Sequence, residues 1–254
     1  MISLTWSYRE TRLLVKADTH EVAKAAVHAA FRARREIERF MITHPEFRYS
    51  LEPLSFPGEK LPRVVELMVR AGEAAGVGPF ASVAGAIAQL ALEGAKEAGG
   101  TNVVVENGGD IALDGRRRFL VGIFAGDHPL SGRIALALGP GELPAGVCTS
   151  SGRVGPSLSL GWAEAVTVVS DEASLSDAAA TSICNEVKGE AEEGIGKGLE
   201  KAKEIEGIRG CLILYGGKVG AMGRLPPLQL LEGKRLPSPS PWPSPIEEWL
   251  EEQR

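Results

Sequence analysis

The chain has 254 residues, of which 44% are hydrophobic, 24% charged and 6% aromatic. That balance excludes collagen, coiled coil and wholesale disorder, and fits one large domain or two small ones. Lys and Arg number 28 against 33 Asp and Glu, a net charge of −5, and without a long basic run nucleic acid is not an expected partner.

Cys148, Cys184 and Cys211 are odd in number and far apart, which argues against a zinc cluster or a disulfide framework. Arg9 and Glu10 fall where a signal peptide needs an apolar core, and no 18-residue apolar run occurs. The expected location is therefore the cytoplasm, with no membrane partner.

The opening residues alternate loosely and end in Leu13-Leu14-Val15-Lys16-Ala17, a hairpin pattern. Asp18 or Thr19 is placed to cap a long helix reaching Thr43. Val22, Ala26, Ala29, Ala30, Ala33, Ile37 and Met41 form its apolar stripe. Its charged face, with Arg32, Arg34, Arg35, Glu36, Glu38 and Arg39, reads as solvated surface. A Pro-punctuated passage precedes a helix over Val64 to Ala75, which Gly76-Val77-Gly78-Pro79 stops. The next stretch, Ala81 to Leu92, is small and apolar almost all round, so it belongs in the interior.

Asn102 to Glu106 reads as a strand, followed by Asn107-Gly108-Gly109-Asp110 and Ile111-Ala112-Leu113. Asp114-Gly115 turns the chain into a strand over Phe119 to Phe124. A Gly/Pro passage at 139–146 leads to Val147-Cys148-Thr149-Ser150-Ser151-Gly152, and further strands are expected at Ala165 to Val169 and Gly210 to Tyr215, with helices near Leu175 to Val187 and over 191–204. Pro237, Pro239, Pro241, Pro243 and Pro245 alternate with Ser or Trp, an extended polyproline pattern. The residues after it, Ile246 to Arg254, suit a short acidic helix. The expected division is a domain over 1–235 and a Pro/Ser-rich tail over 236–254. Trp242 and Trp249 in that tail would serve an interaction surface or dock on their own domain. Strands flanked by long helices, with hairpin signals between them, point to an α+β fold.

Three motifs carry chemistry. In Asn107-Gly108-Gly109-Asp110 the paired glycines suit either a hairpin turn or a backbone that lets a phosphate or ring approach. In Cys148-Thr149-Ser150-Ser151-Gly152 the hydroxyls and the glycine could hold an anion or cap a local loop. Cys148 reads as a buried structural thiol. In Ser176-Asp177-Ala178-Ala179-Ala180-Thr181, Asp177 and Thr181 sit one helical turn apart and present a hard oxygen half-site suited to Mg²⁺. The alternative is a capping box, Ser174 with Asp177, in the first helical turn.

The order of these motifs, with Val77-Gly78-Pro79 and Ala84-Gly85-Ala86-Ile87-Ala88 before them, resembles the ApbE-like superfamily and its divergent short cytoplasmic branch. That superfamily is typified by FAD-dependent FMN:protein transferases, historically linked to thiamine biosynthesis. The resemblance covers roughly residues 10–225. It implies an ApbE-like (T-fold-type) α+β domain with mixed or antiparallel sheets and long helices. It also implies FAD or FMN in a cleft, with Mg²⁺ at the pyrophosphate.

Asp177, Thr181 and the backbone oxygen of Ala84 match the family's metal ligands. Asn107, Gly108, Gly109, Asp110, Thr149, Ser150, Ser151 and Gly152 match its ligand-binding turn and loop. A protein acceptor and association between copies of the chain are partners that the resemblance allows. The implied activity is Mg²⁺-dependent flavin transfer or cleavage of the FAD pyrophosphate, and the alternative is flavin or nucleotide binding without turnover. The family's His-x-x-Asp-Pro-x-x-Gly signature has Gly155-Pro156-Ser157-Leu158-Ser159-Leu160-Gly161 in its place, and the family's helix lysine is replaced at Ala88-Gln89. His20, His28, His44 and His128 all lie elsewhere. Ser157 and Asp127 are the candidates to stand in for the missing histidine.

Overall fold

The computed structural model describes residues 1–152 and 160–231. Ser157, the tail prolines, Trp242, Trp249 and the 246–254 segment lie outside the described residues. Two hairpin strands, β1 (Ile2–Tyr8) and β2 (Thr11–Ala17), open the chain and lead into α1 (His20–Thr43). A single turn, α2 (Glu46–Tyr49), precedes α3 (Arg63–Ala75) and α4 (Val83–Glu97). Six strands follow: β3 (Val103–Asn107), β4 (Asp110–Asp114), β5 (Phe119–Gly122), β6 (Ile134–Leu138), β7 (Ala145–Ser150) and β8 (Ala165–Ser170). The described chain ends with α5 (Ala173–Glu186), α6 (Ala191–Glu204), β9 (Ile208–Tyr215), β10 (Lys218–Gly223) and β11 (Leu228–Leu230).

Eight strands form one sheet in the order β1-β2-β3-β4-β7-β8-β9-β10, and every neighbouring pair is antiparallel. The period-2 alternation of a strand assigns each residue to one face. Leu13, Val15, Val103, Val105, Ala112, Cys148, Val166, Val168 and Ile213 face the helices. Leu113, Val147, Val169, Leu212 and Leu214 face a second, three-stranded sheet ordered β11-β6-β5. The main sheet is thus sandwiched between a helical layer and a small sheet. Asp114-Gly115 does not close a hairpin with the strand that follows. β4 pairs with β7, while β5 crosses to the second sheet.

Thr19 is the cap of α1, its Oγ1 accepting from the Val22 N–H at 3.3 Å. Asp18 instead receives the N–H groups of Thr101 and Asn102, at 3.0 and 2.7 Å, and so ties the start of α1 to the approach of β3. The charged face of α1 departs from expectation at Arg34, which is buried and paired with Glu10 and Glu38. Its aliphatic stem packs while its guanidinium finds two carboxylates. Gly76 ends α3 in the left-handed region at φ 70°. Among the described residues no single helix is long and apolar enough to cross a membrane. The small-residue run of α4 is interior, with Ala86, Ile87, Ala88, Ala91 and Ala95 all buried.

Candidate functional site

The site begins where two helices start. The first N–H groups of a helix have no intrahelical partner, and α4 and α5 satisfy each other's. Asp177, in the second turn of α5, reaches across so that its Oδ2 accepts from the Gly85 N–H at 2.8 Å. Gln89, one turn further along α4, returns the contact. Its Oε1 accepts from the Ser174 N–H at 3.2 Å and the Ser174 hydroxyl at 3.0 Å. Only a glycine at 85 permits the approach, because a Cβ there would lie 2.3 Å from the Ala173 carbonyl oxygen and 2.8 Å from the Asp177 Cβ. The Ser174–Asp177 capping box does not form. The helix already starts at Ala173, Ser174 turns to Gln89, and Asp177 caps the other helix.

Strands β4 and β7 supply the floor. Asn107 and Asp110 pair across a two-residue turn whose glycines both have positive φ, 68° at Gly108 and 109° at Gly109. Two such residues in succession are the requirement of the tight primed hairpin turn. The hairpin forms, and the space beside it is open, since a Cβ on either glycine would meet nothing within 4 Å. Asn107 locks the turn to its neighbours. Its Oδ1 accepts from the Arg12 N–H at 3.2 Å and its Nδ2 donates to the Ala84 carbonyl at 3.1 Å.

β7 runs beside α5 in step with it. A Cβ on Gly146 would touch Ala173, the Ser176 hydroxyl donates to the Gly146 carbonyl at 3.0 Å, and the Cys148 thiol donates to the Ala173 carbonyl at 3.3 Å. Two strand residues advance about 6.6 Å and four helical residues about 6 Å, so alternate residues of β7 and every fourth residue of α5 advance at a similar pitch. Asp110 lies on the same face of the sheet as Ala112, which packs against the helices. Asp110, Cys148 and Asp177 thus lie close enough to act on one another, with the Gly85 N–H on Asp177, Ser150 next on the same face of β7 and Thr181 one turn further along α5.

Its electrostatics are one-sided. Burial and the facing Asp110 carboxylate push the Asp177 carboxyl well above the usual range, although the N–H groups of Gly85 and Ala84 act in the opposite direction. Burial pushes Asp110 up to about 7, opposed by hydrogen bonds with Cys148 and Thr149 and reinforced by Glu106. Burial and both carboxylates hold the Cys148 thiol well above its ordinary value, so it is inert as a nucleophile. All three cysteines are buried and free. Two oxygens here lack hydrogen-bond partners, Asp110 Oδ1 and Ser150 Oγ, although both are shut away from solvent. Buried polar atoms are seldom left so.

Other anticipated residues lie elsewhere. The Thr149 side chain points to the opposite face of the sheet, where its hydroxyl pairs with that of Thr167 at 2.9 Å. Ser151 and Gly152 continue past the end of β7, and both bond to the Ala163 carbonyl, at 3.5 and 3.0 Å. Asp127 is exposed between β5 and β6, in the layer across the main sheet from Asp177. His20 and His28 ride on α1, His44 stacks on Phe40, and His128 is buried beside β10. A surface recess between α1 and α4 is lined by Ala25, His28, Phe31, Arg32, Gly94 and Glu97, none of which belongs to the carboxylate site.

From the sequence Gln89 stands out only as lying, with Ala88, where the family has a lysine. Its spacing of four from Gly85 placed it on the right helix face, but only the packed helices reveal its partner. Among the described residues no group of three or more His, Cys, Asp or Glu forms a metal cluster. The donors gathered here are two carboxylates and hydroxyls, the set that hard cations prefer.

Solved structures share this architecture. A mutant of the flavin transferase ApbE from Vibrio cholerae aligns with a TM-score of 0.55 and 13% identity, over 87% of this chain and 96% of that one. The apo form of the flavinyl transferase ApbE from Pseudomonas stutzeri aligns with a TM-score of 0.52 and 16% identity, over 87% and 93% of the two chains. The class is thus an α+β protein of the ApbE fold. More particularly, the family described as AbpE bacteria matches residues 2–206, and the chain belongs to that family. Its relatives include the UPF0280 protein of Methanosarcina acetivorans, 41% identical over 224 residues, which are 88% of this chain and 87% of that one. Another is a UPF0280 protein of Methanopyrus kandleri, 41% identical over 240 residues, covering 93% and 96%.

Proposed function

We propose that the protein binds a flavin nucleotide, FAD or FMN, through a divalent cation held over Asp177 and Thr181. The observation that carries this reading is a pair of neighbouring carboxylates, Asp177 buried and Asp110 half-buried with its Oδ1 shut away from solvent, on which the charged neighbours that act are each other and Glu106. Buried like charges are costly unless a cation or protons neutralise them. An all-oxygen set of this kind suits Mg²⁺, which keeps part of its shell for waters and substrate phosphates. When bound, the ion would neutralise phosphate oxygens at the pyrophosphate. The open Gly108–Gly109 turn would let the ligand lie against the backbone. The flavin itself is supported by the ApbE fold and by what the two aligned transferases are named for.

Binding without turnover is the form of this reading that the residues favour. The four histidines sit on α1, at its end, or behind β10. No histidine occurs in 155–161, so the cleft gains no imidazole there for proton transfer. The test is to incubate the protein with FAD and Mg²⁺, separate it from free ligand by size, and measure retained flavin and released AMP. Retained flavin without AMP is the expected result. Stoichiometric AMP release, or flavin fixed on a Thr or Ser of an acceptor peptide, would convert the reading to pyrophosphate cleavage or transfer. No retained flavin under any divalent cation would overturn it.

A further inference from the structure

The flavin reading needs a cation but leaves its protein ligands to the helices. The orphaned oxygens lie on the sheet. Asp110 Oδ1 and Ser150 Oγ are buried without hydrogen-bond partners, and Ser150 is only 4% exposed. Both occupy the helix-facing side of adjacent antiparallel strands, diagonal to one another across the β4–β7 pair. Ser150 lies two residues past Cys148 on β7, and Thr181 lies one helical turn past Asp177 on α5, the helix that packs along β7. Cys148 lies between, close enough to Asp110 and Asp177 to respond to both. The Ala84 carbonyl, the backbone oxygen that the resemblance assigns to the metal, accepts from Asn107 Nδ2 at 3.1 Å. It sits in the first turn of α4, where its second lone pair serves the helix.

We propose that Asp110 and Ser150 are cation ligands from the sheet, joining Asp177 and Thr181 in a ring of four side-chain oxygens that holds a divalent ion before any nucleotide enters. The inference rests on the cation-dependent flavin reading and makes the ion part of the protein's site instead of a companion of the ligand. Two carboxylates match the charge of a divalent ion, and two hydroxyls complete a hard half-shell, leaving outer positions for water or phosphate.

The test uses Mn²⁺ alone as probe, with free ion counted by electron paramagnetic resonance and no nucleotide present. The full-length protein is expected to bind one ion. Asp110→Asn, which keeps shape and removes charge, is expected to weaken Mn²⁺ by about tenfold or more, and Ser150→Ala by a smaller factor. Thr149→Val, altered on the opposite face, is expected to leave the affinity unchanged. Thermal unfolding of each variant verifies the fold, and Ser150→Ala keeps the test decisive should Asp110→Asn lose it. Mn²⁺ binding that appears only when FAD is added would overturn the inference. So would full affinity in both Asp110→Asn and Ser150→Ala alongside its loss in Asp177→Asn. Both outcomes leave flavin binding intact and are therefore distinct from failure of that reading, which shows as no FAD retention with Mg²⁺.

Discussion

Replacing Gly85 by alanine perturbs the junction of α4 and α5 with a single methyl. Its Cβ would sit 2.3 Å from the Ala173 carbonyl oxygen, 2.8 Å from the Ala173 carbonyl carbon and 2.8 Å from the Asp177 Cβ. Ordinary contacts begin near 3.4 Å, so the helices must part by roughly an ångström, and two of the three obstacles are backbone. The hydrogen bond from the Gly85 N–H to Asp177, 2.8 Å long, would stretch with them. Gly85 lies within α4, so alanine's better helix propensity returns up to about 1 kcal/mol. Overpacking costs about 1–3 kcal/mol, and a weakened hydrogen bond to a buried carboxylate about 1.5–3 kcal/mol more. A net loss of about 2–4 kcal/mol corresponds to a Tm drop of about 4–16 °C in a chain of this size. Thermal unfolding by circular dichroism measures it. Gly109→Ala is the control: the position has φ 109° but open space around it, so only backbone strain of roughly 1–3 kcal/mol applies, and the helix junction stays intact. An unchanged Tm for Gly85→Ala would refute the close approach from which the site is built.

Other expectations follow from the same contacts. Gln89→Leu leaves the Ser174 N–H and hydroxyl without their acceptor in the interior, and urea unfolding should register a loss of about 1–3 kcal/mol. Asp110 carries a folded-state pKa raised from 3.8 to about 7, so with chelator present the folded chain keeps a proton that the unfolded chain releases. Its stability should therefore be highest below about pH 4 for this group and fall through about pH 7, on the order of 3 kcal/mol after allowing for partial solvent access. Asp110→Asn should flatten that slope in urea titrations run at successive pH values, and an equally steep slope in the variant would contradict it. Thr167→Val breaks only the hydroxyl pair with Thr149 on the far face, so FAD retention should be unaffected while stability drops by about 1 kcal/mol.

Much of the fold was legible because its signals were local. Thr19 before an alternation of threes and fours marked α1, Gly76 marked the end of α3, and Asn107-Gly108-Gly109-Asp110 marked a hairpin. β6, β10 and β11 escaped notice. Ile134–Leu138 is buried on both faces and has no alternation, while Lys218–Gly223 and Leu228–Leu230 are short and glycine- or proline-flanked. The crossing of β5 to a second sheet was hidden as well, since Asp114-Gly115 reads the same whether a hairpin closes or the chain leaves the sheet.

At the site, Asp177 and Thr181 announced themselves by spacing on one helix. Which face Thr149 takes depends on the register of β7 against β8, and the link from Gln89 to Ser174 spans 85 residues. Such facts come from packing, and no window of sequence holds them. Asp177 illustrates the limit: its position in an early helical turn fitted a local cap equally well, and only the neighbouring helix start at Gly85 shows that one carboxylate oxygen, Oδ2, reaches across the interface.

The most direct test of the central claim is the affinity for FAD, followed by flavin fluorescence, in Mg²⁺ and in chelator, for the unaltered chain and for Asp177→Asn. The proposal requires tight binding in Mg²⁺, binding weakened by about tenfold or more in chelator, and a variant that binds weakly in both. FAD affinity indifferent to chelator and to the loss of the Asp177 charge would contradict it.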